Sequence, residues 1–150
     1  MRQIKYIIAA SLFLMVLVGS VEAGEIGVVL VGDEVSVEEL TRNELANIFL
    51  GKKTNWEDGS RISIGYMNNN SEKMERFFEE YIGQSHRRFK KYWVKKVFAG
   101  YGVAPKLFKD VEKALEFIKR FKGGIVLVIV DDASRLKGIR SVRVAGASSF

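Results

Sequence analysis

Apolar and polar positions fall in blocks along the chain, and each block has its own period. Ile26–Val31 (IGVVLV) is a short, almost wholly apolar run rich in β-branched residues, closed by Gly32 and Asp33. Such a run predicts a strand covered on both faces, as in a parallel sheet. Thr41 stands three residues before Glu44, the spacing of a capping box. A helix should therefore open there, bury Leu45, Ile48 and Phe49, and stop at Gly51. After the polar turn Asn55–Gly59, the alternation of Ile62, Ile64 and Tyr66 predicts a second strand over Arg61–Tyr66. Met74, Phe77, Phe78, Tyr81 and Ile82 then recur at helical spacing behind Ser71 and end at Gly83. Ser85 can cap a further helix, whose buried stripe is Phe89, Tyr92, Trp93 and Val97.

Gly100, Gly102 and the only proline, Pro105, mark a loop, after which Asp110 caps a helix facing inward through Val111, Ala114, Leu115, Ile118 and Phe121. Gly123–Gly124 breaks that helix before the second apolar run, Ile125–Val130 (IVLVIV). Ile139–Val144 predicts an edge strand, and the tail from Ala145 reads as frayed. The order strand, helix, strand, helices, strand predicts an α/β fold: a single three-layer domain with a mostly parallel sheet, right-handed crossovers and flanking helices. Its ordered core is expected over residues 26–144 of a domain spanning 24–150.

The first 23 residues read differently. Arg2 and Lys5 precede Tyr6–Val18, an unbroken run of apolar and small residues, and Val21 and Ala23 have the spacing a signal peptidase reads. This is the three-part layout of a cleavable secretory leader. A spanning helix needs about 20 apolar residues, and this run has 13. Export to the periplasm or beyond is the expected destination, the alternative being retention of the leader as an anchor.

Composition narrows the chemistry. The 150 residues include no cysteine and a single histidine, His86. That excludes a disulfide framework, a thiolate nucleophile, cysteine-ligated zinc and a histidine-rich metal site. The formal charge is +6, and loss of residues 1–23 removes Arg2, Lys5 and Glu22 to leave +5. In an exported protein that excess points to small oxyanions, acidic partners or anionic membrane surfaces rather than to nucleic acid.

The most informative polar stretch is Asn68-Asn69-Asn70-Ser71, which joins the end of a strand to the start of a helix. Amide N–H groups and the helix dipole favour an anion at such a place, and α/β sheets bind ligands at the carboxyl ends of their strands. Gly32, at the end of the first apolar run, completes the candidate set. The alternative is structural: Ser71 caps the helix, the asparagines form a turn, and Glu72 in the first turn opposes a bound anion. Asp131-Asp132 closes a strand without a third ligand nearby and reads as a turn. Residues 86–98 form a helix with aromatics on one side and Arg87, Arg88, Lys91 and Lys95 on the other. Such a helix suits an acidic protein partner or anionic lipid, or simply a solvated face. No phosphate loop or nucleophile elbow is present, His86 is expected at the exposed helix start without a role, and neither an enzyme nor a cofactor is expected.

Several blocks together resemble a family. Thr41-x-x-Glu44-Leu45-x-x-Ile48-Phe49-Leu50-Gly51-Lys52, then Trp56-x-Asp58-Gly59-x-x-Ile62, resembles small exported proteins related to the phosphate-binding proteins of ABC importers. Tyr92-Trp93, Phe98-x-Gly100, Pro105 and Gly123-Gly124-Ile125 are similar to later landmarks of that family, so the resemblance runs over Ile26–Asp132. It implies the type 2 periplasmic-binding-protein architecture and a role in phosphate uptake or sensing. It also implies an oxyanion held by an Arg, an Asp and a Ser-Gly-Thr that opens a helix. Here Ser71 matches the serine, while Met67, Asn69 and Glu72-Lys73 occupy the other places. Weak binding of a phosphate-like anion is one expectation. A periplasmic interaction or sensor module of the same fold that has lost its ligand is the other.

Overall fold

The computed structural model describes residues 24–150; the leader expected over residues 1–23 lies outside the described residues. The chain runs β1 (Ile26–Val31), β2 (Glu39–Leu40), α1 (Arg42–Phe49), β3 (Ser63–Met67) and α2 (Glu72–Phe77), which continues as a wide π turn over Phe78–Ile82. It goes on through α3 (His86–Phe98), β4 (Lys106–Phe108), α4 (Val111–Arg120) and β5 (Gly124–Val130) to a 3₁₀ turn (Ala133–Leu136) and β6 (Ser141–Val144).

The predicted caps are made. The Thr41 hydroxyl accepts from the Glu44 N–H at 3.1 Å while the Glu44 carboxylate accepts from the Thr41 N–H at 2.9 Å. Ser71, Ser85 and Asp110 cap α2, α3 and α4 through their side chains.

The six strands form one sheet in the order β2-β6-β1-β5-β3-β4. Five run the same way and β1 alone is reversed, antiparallel to both β5 and β6. The sheet is thus mostly parallel, but β1 itself is not the parallel strand that its composition suggests. Burial on both faces gives the same apolar run whichever way a strand points. From β3 the chain steps outward to β4 through α2 and α3, then steps back across β3 to β5 through α4. Right-handed crossovers in opposite directions put their helices on opposite faces. Accordingly Tyr66 meets Phe78, His86 and Phe89 on one face, while Phe108 meets Phe117 of α4 on the other. β5 between them is buried along its whole length. The result is a three-layer α/β domain.

β2 and β4, of two and three residues, were too short to leave a period in the sequence. β6 is not an edge strand, because β2 pairs along its outer side. Nor is the tail frayed. The Gly27 N–H donates to the Phe150 carbonyl at 2.9 Å, and the Phe150 N–H returns a bond to Gly27 at 3.1 Å. The Phe150 ring stacks on Phe77 at 5.1 Å and lies 5.2 Å from Tyr81. A side chain at Gly27 would collide with that ring, which accounts for a glycine inside an otherwise apolar strand.

The last carbonyls of α1 are satisfied by α3. Trp93 Nε1 donates to Phe49 O at 3.0 Å, the Tyr92 hydroxyl to Leu50 O at 2.6 Å, and Lys96 Nζ to Leu50 O and Gly51 O at 3.0 Å each. Trp56 Nε1 similarly donates to Gly123 O at 2.9 Å. The IFLGK and Tyr-Trp landmarks therefore touch each other, as do Trp56 and Gly123, and these contacts are packing contacts.

Candidate functional site

The Asn68–Ser71 stretch leaves the carboxyl end of β3, as expected, and enters α2. The Asn68 N–H donates to Phe108 O at 2.9 Å, and Asn70 turns the chain with φ of 52°. The Asn69 side-chain Oδ1 accepts the Ser71 N–H at 3.2 Å, and the Ser71 hydroxyl accepts the Met74 N–H at 3.2 Å. The loop thus consumes part of its own donor capacity, as an Asx turn plus a cap does. Beside it lies a hollow of about 290 Å³ lined by Asn70, Ser71, Glu72, Met74, Glu75 and His86. Its walls carry two carboxylates and no Lys or Arg, and Asn69 Nδ2 is 3.4 Å from a third carboxylate, that of Glu25. Gly32 is not part of this corner. It follows the end of β1, next to the start of β5, at the opposite end of the sheet. The space beside its Cα is filled by the Lys122 carbonyl.

His86 is buried rather than exposed. Its ring stacks on Phe78 at 4.7 Å, and its Nε2 lies 3.3 Å from the Tyr66 hydroxyl. Burial, followed by the nearby Lys90, holds its pKa below the ordinary imidazole value against the opposing pull of Glu75. Burial also pushes the Tyr66 phenol up to about 12. A neutral ring accepting the Tyr66 O–H suits both residues, and a neutral histidine brings no charge to an anion. The sequence offers no sign of this, because the ring's partner is 20 residues away on β3. Asp132 caps the 3₁₀ turn by accepting from the Ser134 N–H at 2.8 Å and hydroxyl at 2.7 Å, and those bonds lower its pKa. The turn reading of Asp131-Asp132 holds. Among the described residues there is no acidic or histidine cluster able to hold a metal ion.

The other concentration of unexplained residues surrounds the end of α3. His86, Phe89 and Trp93 form its buried stripe, while Arg87, Arg88, Lys90, Lys91 and Lys95 are exposed. Val97 is not in the stripe: it is 43% exposed, with Val94 at 56% and Phe98 at 89%. Tyr101 and Val103 in the following loop are 74% and 77% exposed, and Leu107 on β4 is 46% exposed. Tyr66 pairs in register with Leu107, so the Leu107 side chain lies on the α3 face of the sheet. Between α3 and this edge lies a hollow of about 340 Å³ whose floor includes Tyr66, Phe89 and Trp93. β4 is the last strand of the sheet. A cluster of large apolar side chains left in water on a monomer is the usual mark of a contact surface.

Comparison with known proteins places the fold. No family model and no curated protein sequence matches the chain. Solved structures do. A protein described as a phosphate ABC transporter substrate-binding protein from Clostridium perfringens, solved with bound phosphate, superposes with a TM-score of 0.58 at 18% identity, over 85% of this chain and 48% of that one. PstS from Borrelia burgdorferi gives 0.61 at 14% identity, over 82% and 48%. An ABC-type phosphate transport receptor from Vibrio cholerae gives 0.58 at 14%, over 84% and 49%. The chain has the fold of phosphate-transporter substrate-binding proteins, and it spans about half the length of these structures. Among the described residues no helix is long and apolar enough to cross a membrane.

Proposed function

We propose that the chain is exported by a cleavable leader over residues 1–23 and works in the periplasm as a non-catalytic protein-interaction module built on the phosphate-binding-protein fold. The observation that carries this reading is the exposed apolar cluster of Val94, Val97, Phe98, Tyr101, Val103 and Leu107 beside a basic helix. A folded domain that keeps so much apolar surface in one place gains by covering it. The test is co-purification from the cell envelope. A tagged protein should retain a partner that is lost on Val94→Asp with Leu107→Asp, and weakened on Lys91→Glu with Lys95→Glu, at unchanged melting temperature. Retention of the same partner by all variants would remove this surface from the account.

A second reading is weak binding of phosphate or another small oxyanion by Ser71 and Asn68–Asn70, in uptake or sensing of phosphate. It is favoured by the position of that loop at a strand's carboxyl end, in a fold whose Clostridium perfringens example was solved with bound phosphate. Glu75 at the start of α2 and Glu25 beside Asn69 weigh against it, because nearby carboxylates repel a second anion, while the charge of Glu72 is offset by its pair with Arg76 at 3.0 Å. Isothermal titration with phosphate, sulfate and small carboxylates decides the matter. Heat at millimolar ligand that disappears in Ser71→Ala supports anion binding, and no heat removes it.

A further inference from the structure

The surface around α3 and β4 carries more than apolar area. Two hollows meet there, one on each side of the loop that links α3 to β4, and they share Trp93, Ala104 and Pro105 as a common wall. The first, about 340 Å³, is apolar, and Lys90 is its one charged residue. The second, about 330 Å³, brings Lys53, Arg61 and Lys106 together with the Thr54 and Ser63 hydroxyls and several aromatic rings. No acidic residue lines either hollow. Among the described residues none of Lys53, Arg61, Lys90 and Lys106 takes part in an ion pair. Unpaired cations around a concave apolar floor give a two-part surface, with one half suited to a large apolar side chain and the other to carboxylates.

We infer that this double hollow docks a segment of a partner protein in which a large apolar side chain is followed by acidic residues. The apolar anchor seats between Val94, Phe98 and Leu107, above the Trp93 ring. The carboxylates lie across the shared wall, over Lys53, Arg61 and Lys106. This rests on the interaction reading above and names the chemistry of the partner. A second copy of the chain is a poor occupant, because it would bring the same basic rim against itself. Lys106 on a three-residue edge strand that follows a proline is also a usual guard against pairing of like edges. An anionic bilayer would match the charge and the protruding Phe98, yet it has no side chain with which to fill a hollow floored by the buried Trp93.

Fluorescence anisotropy with labelled synthetic peptides tests the inference on the purified protein. The probe carries Leu-Phe followed by a run of Asp and Glu. One control replaces Leu-Phe by Ser-Ser, and the other replaces the acids by Gln. The probe should bind at micromolar concentration, and each control should bind about tenfold more weakly or worse, a difference of about 1.4 kcal/mol. Val94→Asp and Phe98→Ser, both at exposed positions, should weaken the probe as much as its Ser-Ser control. Arg61→Glu should weaken it as much as the Gln control, and added salt should weaken the acidic half alone. Absence of probe binding, or equal binding by the Ser-Ser control, overturns the inference. So does sedimentation with anionic vesicles that Phe98→Ser abolishes while the peptide gives no signal, or a dimer that Val94→Asp dissociates. Should Val94→Asp with Leu107→Asp still strip a co-purifying partner while the probe fails, the partner chemistry is wrong and the interaction reading stands. Failure of both removes both.

Discussion

Replacing Lys96 by methionine isolates the contact that joins α1 to α3. Lys96 Nζ donates to Leu50 O and Gly51 O at 3.0 Å each, at the negative end of α1, and lies 5.2 Å and 5.5 Å from the Trp93 and Tyr92 ring centroids. Methionine keeps much of the stem and removes the charge. A hydrogen bond to a charged group contributes roughly 1.5–3 kcal/mol, and a cation near a helix C-terminus roughly 0.3–1 kcal/mol. The loss is moderated, because Leu50 O keeps the Tyr92 hydroxyl at 2.6 Å and the half-buried Gly51 can turn its carbonyl to water. Lys96→Met should therefore cost about 2 kcal/mol, which at about 4 °C per kcal/mol lowers the melting temperature by roughly 8 °C. Urea unfolding followed by Trp fluorescence reads the cost directly. Lys95→Met, on the exposed side of the same turn, is the control and should change stability by less than about 0.5 kcal/mol. Equal, small effects for the two variants would refute the capping role assigned to Lys96.

Further outcomes are expected of three variants. Ser71→Ala should cost about 1 kcal/mol, the usual value for a helix N-cap. Millimolar phosphate should leave the melting temperature of both proteins unchanged, and a phosphate-dependent rise seen only in the parent would restore the oxyanion site. Because burial depresses the His86 pKa, protonation favours the unfolded chain. His86 should therefore contribute fully above about pH 7, and that contribution should fall away as the pH drops through the ordinary imidazole value of about 6.5 toward the lower folded value. In His86→Asn this step in urea-measured stability between about pH 7.5 and pH 5.5 should be missing; an identical slope in the parent would contradict the buried neutral ring. Phe150→Ala should destabilise by roughly 1–3 kcal/mol, since the ring is partly buried on Phe77 and Tyr81. A change below about 0.5 kcal/mol would mean the tail is not docked in solution.

Most of the architecture was legible in the sequence because its elements carry their own period and punctuation. Thr41 with Glu44, Ser71, Ser85 and Asp110 announce helices that the structure caps as expected. What depends on distant partners was not legible. The direction of β1 is set by its pairing with β5, almost 100 residues later, and a doubly buried strand looks the same either way. Phe150 reads as a loose end until Gly27 is seen to leave room for it. His86 reads as exposed because the rings that cover it, Tyr66 and Phe78, belong to other elements. For the candidate site, Asn68–Ser71 reads correctly as lying at a strand's carboxyl end, but the approach of Glu25 to Asn69 is not legible, because Glu25 stands ahead of β1, 44 residues earlier. The apolar face was missed, since Val97 reads as part of the buried stripe; the signal against that reading is that Val94, Val97 and Phe98 fall around two sides of α3, more apolar surface than a single buried stripe needs.

The most direct measurement is site-specific photo-cross-linking in intact cells, with the reactive side chain placed singly at Phe98, at Ser71 and at the exposed Glu38, beside β2 at the opposite edge of the sheet. A discrete protein adduct from position 98, with none from 71 or 38, is the predicted result. An adduct from position 71 alone, or none from 98, would contradict the claim that this domain acts through the face between α3 and β4.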